Sequence, residues 1–364
     1  MQKLFALALA LVLTCGTLAG CGGDKKSTDT SPAAKTKVAF VYVSSAKDGG
    51  YSYAHDLGRQ YVDKHLPNVQ TTFMEAVPEG SDAERVITQL AAQGNKIIFT
   101  TSFGYMDPTI NVAKKYPDIT FLHCSGFKTA PNVGTYFGRI YESRYLTGMV
   151  AAKTTKTNTI GYVAAFPIPE VVRGINAFTL GAQAVNPHVK VQVLWTNTWY
   201  NPATEKQAAI TLLDAGADVI AQHQNTPGPQ QAAEEKGKYG IGYNVDMSTA
   251  APTASLTSAV WNWGPYYVKT IQNVLAGTWK SGAYWGEMKD QVVDIAPYGP
   301  AVSAEAKKLT DAAKAKIIDG SLNVFTGPLK DQNGNEKIPA GQTISDEDLL
   351  KMDWFVQGVY GNIK

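Results

Sequence analysis

From residue 37 the chain reads KVAFVYVSS (37–45), a run of Val, Phe and Tyr closing on small polar residues, which predicts a buried strand. HDLGRQYVDKHL (55–66) spaces its apolar positions for an amphipathic helix. KDGGYSYAHDLG (47–58) joins the two. A strand, a glycine pair and a helix is an arrangement that holds phosphate at a helix N-terminus. This loop, however, has neither G-x-G-x-x-G nor G-x-x-x-x-G-K-[ST], and it places Tyr51 and Tyr53 where a phosphate loop needs small residues.

The same pattern then occurs twice. HLPNVQTTFMEAV (65–77), SDAERVITQLAAQG (81–94) and NKIIFTTS (95–102) read as strand, helix and strand. NPHVKVQVLWTNTWYNP (186–202), ATEKQAAITLLDAG (203–216) and ADVIAQHQ (217–224) repeat that order. In each copy Pro-x-Val opens a strand and a glycine suited to a left-handed C-cap ends the helix. Each copy follows a strand and helix, starting at 37 and at 159, and precedes another helix and strand (110–125 and 230–245). Strands alternating with helices predict an α/β fold with parallel sheets flanked by helices. Two copies predict two lobes, and solenoid arrays, which need at least three shorter units, are excluded. Residues 37–150 are expected to form the first lobe, joined by part of 247–285. Residues 151–246 are expected to form the second, joined by part of 286–364.

Composition narrows the class. The 364 residues are 44% hydrophobic and 18% charged, enough for a core. A net charge of +2 without a long basic run gives no sign of nucleic-acid binding. Three cysteines supply neither a disulfide framework nor a metal cluster, and Cys124 at the end of TFLHC is expected as a buried free thiol. MQK, LFALALALVL and LAGC form a positive start, a short apolar run and a small-residue cleavage site. LAGC (18–21) resembles the lipobox of bacterial lipoproteins, which makes 1–20 a lipoprotein signal peptide and Cys21 the lipidated residue. GGDKKSTDTSPAAKT then reads as part of a flexible tether over 21–36, placing the protein at a cell membrane, facing the periplasm or cell exterior.

In parallel α/β sheets ligands bind beyond the carboxyl ends of the strands. The segments there carry the rings Tyr51, Tyr53, Phe103, Phe166 and Trp199 and the polar residues Ser102 and Asn225, with Asp246 as the clearest carboxylate. Two such rims would clamp a flat heterocycle, each stacking platform contributing roughly 1–3 kcal/mol. Any one of these rings could instead complete the core. Trp261, in WNWGPYY, falls at a strand-to-helix rim or in packing, and Asp246 is either a ligand contact or a helix N-cap. His223 falls on the second rim, as a donor or as an ordinary loop residue.

DGGYSYAHDLGR, NPATEKQAAITLLDAGADVI and GPLKDQNGNEKIPAGQTISDEDLLKMDWFVQGV (327–359) resemble segments of the basic-membrane-protein lipoproteins. Those are substrate-binding components of ABC transporters for purine nucleosides and related compounds. The resemblance implies a two-lobed periplasmic-binding-protein fold of type I with ligand in the interlobe cleft, and an ABC permease and its ATPase as partners. It further implies that Tyr51 and Trp199 sandwich the base and that Asp246 contacts ligand. Two departures stand out: Trp261 replaces a lysine that reaches ribose, and Tyr51-Ser52-Tyr53 replaces Phe-Asn-[DE]. Losing hydrogen-bonding groups for rings favours a free nucleobase such as adenine, guanine or hypoxanthine over a nucleoside.

No motif supports an enzyme, a cofactor or a metal site: G-x-S-x-G, H-E-x-x-H and C-x-x-C are missing, and a lone carboxylate is thin support for hydrolysis. DQNGNEKIPAGQ lacks the glycine and glutamate of a calcium loop and reads as a hairpin turning at Asn333-Gly334. The alternative function is a sensor that reports purine occupancy to a membrane partner without transport.

Overall fold

A computed structural model describes residues 35–363. The expected signal peptide, Cys21 and the tether as far as residue 34 lie outside them. Among the described residues no helix is long and apolar enough to cross a membrane. The strands are β1 (Thr36–Val41), β2 (Val69–Met74), β3 (Ile97–Thr100), β4 (Thr120–Cys124) and β5 (Val133–Gly138). There follow β6 (Thr159–Ala164), β7 (Lys190–Trp195), β8 (Val219–His223), β9 (Tyr239–Asn244) and β10 (Ser255–Trp261). Last come β11 (Ala283–Gly286), β12 (Val293–Ile295), β13 (Leu329–Lys330), β14 (Glu336–Ile338) and β15 (Val359–Tyr360).

The first sheet has the order β11-β5-β4-β3-β1-β2, with every pairing parallel. The second has the order β12-β10-β9-β8-β6-β7-β15, parallel except for β10 with β12. Each sheet is the centre of one α/β lobe, as the duplicated pattern predicts. Because successive side chains of a strand point to opposite faces, a run such as β1 must be covered on both. Val38 and Phe40 pack with Val62 and Tyr267 on one side. Ala39 and Val41 pack with Val86, Ile87 and Leu90 on the other. Burying each of the larger aliphatic side chains contributes about 1.5–3 kcal/mol, so the two-sided core is what holds this strand central.

One boundary differs from the expected one. Helix Ile140–Thr154 belongs with the second sheet, packing on helix Pro169–Val185 and on β10. Two glycines permit that contact: a Cβ on Gly148 would lie 2.0 Å from the Phe178 carbonyl oxygen, and one on Gly181 1.8 Å from that of Tyr145. The chain therefore leaves the first lobe after β5, at Gly138, rather than near 150. It returns after β10, where helix Trp263–Leu275 packs on helix Tyr51–His65, and crosses again between β11 and β12. The C-terminal segment forms the expected hairpin, with β13 and β14 antiparallel and Gly334 at φ +83°. Cys124 is a buried free thiol.

Candidate functional site

In the first sheet β1 and β3 are neighbours whose following helices cover opposite faces, and β6 and β8 stand in the same relation in the second. Each lobe therefore has a crevice at its topological switch point. The two crevices face a common cleft.

The loop after β1 explains its glycine pair. Asp48 is buried and turns its carboxylate onto the N-terminus of helix Tyr51–His65. It accepts from the backbone N–H groups of Gly50 (2.8 Å), Ser52 (2.9 Å) and Tyr53 (3.0 Å), and from Ser44 Oγ (2.6 Å). The helix end that could have held phosphate is filled by the chain's own anion. Burial raises the Asp48 pKa while those four hydrogen bonds pull it back. The loop also touches the opposite lobe. Asn225 Nδ2 lies 3.4 Å from Ser44 Oγ, and a Cβ on Gly50 would stand 2.2 Å from the Asn225 carbonyl oxygen.

Beneath this contact is a narrow cavity of about 20 Å³. Tyr51 and Phe103 line it from the first lobe; Trp199, Tyr243, His223 and Glu170 line it from the second. Ser102, Ser125 and Asn225 add polar edges. That is about the room of one water, so a ligand of small-molecule size enters only when the lobes part. The Tyr51 hydroxyl is 3.6 Å from Cys124 Sγ, and its ring sits edge-on to His55 at 4.6 Å. Trp199 is backed by Phe166, ring centroids 5.0 Å apart. His223 Nε2 lies 3.4 Å from Glu170 Oε1 and 3.4 Å from the Tyr243 hydroxyl. Burial pushes the His223 pKa down against the pull of Glu170, so the imidazole is neutral. The Arg144 guanidinium covers Tyr243 at 3.7 Å and donates to the Gln222 carbonyl oxygen.

Glu170 is the unusual member. Its side chain is 13% exposed, and apart from His223 no donor among the described residues hydrogen-bonds it. Its oxygens are therefore open to solvent or to N–H and O–H donors of a ligand. Among the described residues no cluster of His, Cys, Asp and Glu could hold a metal ion.

Of the residues singled out in the sequence, Tyr51, Ser102, Phe103, Trp199 and Asn225 line the cavity. Ser102 already donates its hydroxyl to Glu79 at 2.5 Å, which leaves it an acceptor. The other four are not among the lining residues. Tyr53 turns outward on its helix and is 36% exposed, and Phe166 supports Trp199 from behind. Asp246 is exposed and accepts from the Ser248 N–H at 2.9 Å, turning the chain where no helix follows. Trp261 is buried at the end of β10, donating its indole N–H to Asn244 Oδ1 at 3.0 Å and stacking on Trp263 at 4.7 Å.

Sequence reasoning passed over Asp48, Glu170 and Tyr243. Glu170 lies in the rim segment AAFPIPE, where a glutamate in a first helical turn is ordinarily read as complementing the helix dipole. Its signal was its position among uncharged rim residues.

Residues 35–324 match the family described as ABC transporter substrate-binding protein PnrA-like (Bmp). A purine-binding protein of Brucella abortus is 47% identical over 326 residues, covering 89% of this chain and 93% of that protein. A protein of Haloferax volcanii named for glucose binding in an ABC transporter is 42% identical, covering 96% and 87%. Among solved structures, an ABC transporter solute-binding protein from Aeropyrum pernix superposes with a TM-score of 0.70 at 19% identity, over 86% of this chain and 97% of that one.

Proposed function

Since the chain belongs to the PnrA-like family of ABC transporter substrate-binding proteins, we propose that its interlobe cavity captures a free purine base for an ABC permease and its ATPase. The observation that carries this reading is a small cavity walled by Tyr51, Phe103 and Trp199, with the carboxylate of Glu170 at its side and His223 as its neighbour. The rings receive the flat heterocycle and Glu170 accepts a base N–H. Neutral His223, Ser102, Ser125 and Asn225 are placed to read the remaining edge.

The cavity also favours a base over its nucleoside. At the position where a lysine would reach ribose, the one N–H of Trp261 is spent on Asn244. A ribose would find Glu170 as an acceptor but no lysine, and each hydroxyl left unpaired costs about 1–3 kcal/mol. Calorimetric titration of the chain from residue 35 should give dissociation constants at least about tenfold lower for adenine than adenosine, and for guanine than guanosine. Equal affinities would remove the preference for the base. Binding of glucose with no purine binding would remove the purine reading itself.

LAGC supports a binding step at a membrane surface, with Cys21 diacylated. Cys21→Ala should accumulate as uncleaved precursor or escape into the soluble fraction. Unaltered processing and membrane association on fractionation would exclude the lipid anchor.

A further inference from the structure

Phe103, Ser125 and Glu170 line a second space as well as the first, a chamber of about 220 Å³ adjoining the cavity. Tyr136, Phe137, Tyr284 and Trp285 wall it from the first lobe, and Ile168 and Leu350 from the second. Arg173 is the one cation lining it, and its charge is already engaged: it donates to the Leu349 carbonyl oxygen at 2.7 Å and lies 4.8 Å over the Trp285 ring. A cavity filled by a bare base leaves this aromatic space without a use. A sugar placed there would face rings with few partners for its hydroxyls.

Resting on the purine reading above, we propose that the chamber receives an apolar substituent carried by the base, so that the ligand class includes purines bearing a hydrocarbon or aryl group on the exocyclic amine. Glu170 stands at the boundary of the two spaces and fits this chemistry. An exocyclic amine with one hydrogen replaced by carbon keeps a single N–H for the carboxylate. The replacement group then points past Glu170 into the chamber, where burial of apolar surface is favourable.

The test is titration with adenine and N6-benzyladenine, on the native chain and two variants. Ala283 lines the chamber from β11 and is exposed, so Ala283→Trp fills the space without disturbing a core position. Phe127, 60% exposed, lines it elsewhere, and Phe127→Ala removes a ring at little risk to folding. Benzyladenine is expected to bind the native chain within about tenfold of adenine or more tightly. Ala283→Trp should weaken benzyladenine at least tenfold and adenine less than twofold, and Phe127→Ala should weaken benzyladenine alone. Adenine binding with benzyladenine more than a hundredfold weaker would overturn the chamber's role and leave the purine reading intact. The same holds if both variants leave the benzyladenine affinity unchanged. Failure of every purine to bind would remove the purine reading and this inference together.

Discussion

Gly50→Ala is expected to weaken ligand binding by at least about a hundredfold while leaving each lobe folded. The new Cβ would stand 2.2 Å from the Asn225 carbonyl oxygen, and that atom belongs to the backbone of the other lobe, so no side-chain rotation relieves the overlap. The lobes can avoid it only by staying apart. Affinity then falls in proportion to the closed fraction, and a hundredfold loss corresponds to about 2.7 kcal/mol against closure. Small-angle scattering provides a second reading: saturating purine should contract the native chain but not the variant. Native affinity in Gly50→Ala would mean that the ligand-bound lobes do not meet at this loop.

Trp199→Ala should raise the dissociation constant for a purine about 5- to 150-fold, the loss of roughly 1–3 kcal/mol of stacking. The indole is only partly buried and comes from a loop after β7, so thermal unfolding of the ligand-free chain should move little. Phe166→Ala provides the comparison, because that ring contacts Trp199 from behind and is not among the cavity's lining residues. Its effect should be the smaller of the two. If Phe166→Ala costs as much as Trp199→Ala, the indole acts through packing rather than through contact with the base.

The alternation of apolar runs and amphipathic helices made the two parallel sheets and their flanking helices legible, because a strand covered on both faces has to be apolar throughout. The rim followed from topology, and Tyr51, Phe103 and Trp199 with it. What stayed hidden depends on partners distant in sequence. Helix Ile140–Thr154 is buried over most of its length and has no clear apolar face to assign it to either lobe; the glycine contact with helix Pro169–Val185 decides the matter. Trp261 sits where a rim should be, yet Asn244, 17 positions earlier, takes its N–H and turns it inward. Glu170 stood in the sequence only as a charge among uncharged rim residues, and its neighbour His223 lies 53 positions away.

The carboxylate of Asp48 also bears on the charge of any ligand the cleft can accept. In a phosphate-binding loop the same backbone N–H groups would be free; here they are satisfied before any ligand arrives. A nucleotide entering the cleft would bring its negative charges toward Asp48 and Glu170, and would meet no lysine or arginine lining the cavity and only Arg173, already bonded to the Leu349 carbonyl oxygen, in the adjoining chamber. Uncharged purines meet no such repulsion. On the proposed purine function, adenosine monophosphate is therefore expected not to compete with adenine for the cleft in a titration.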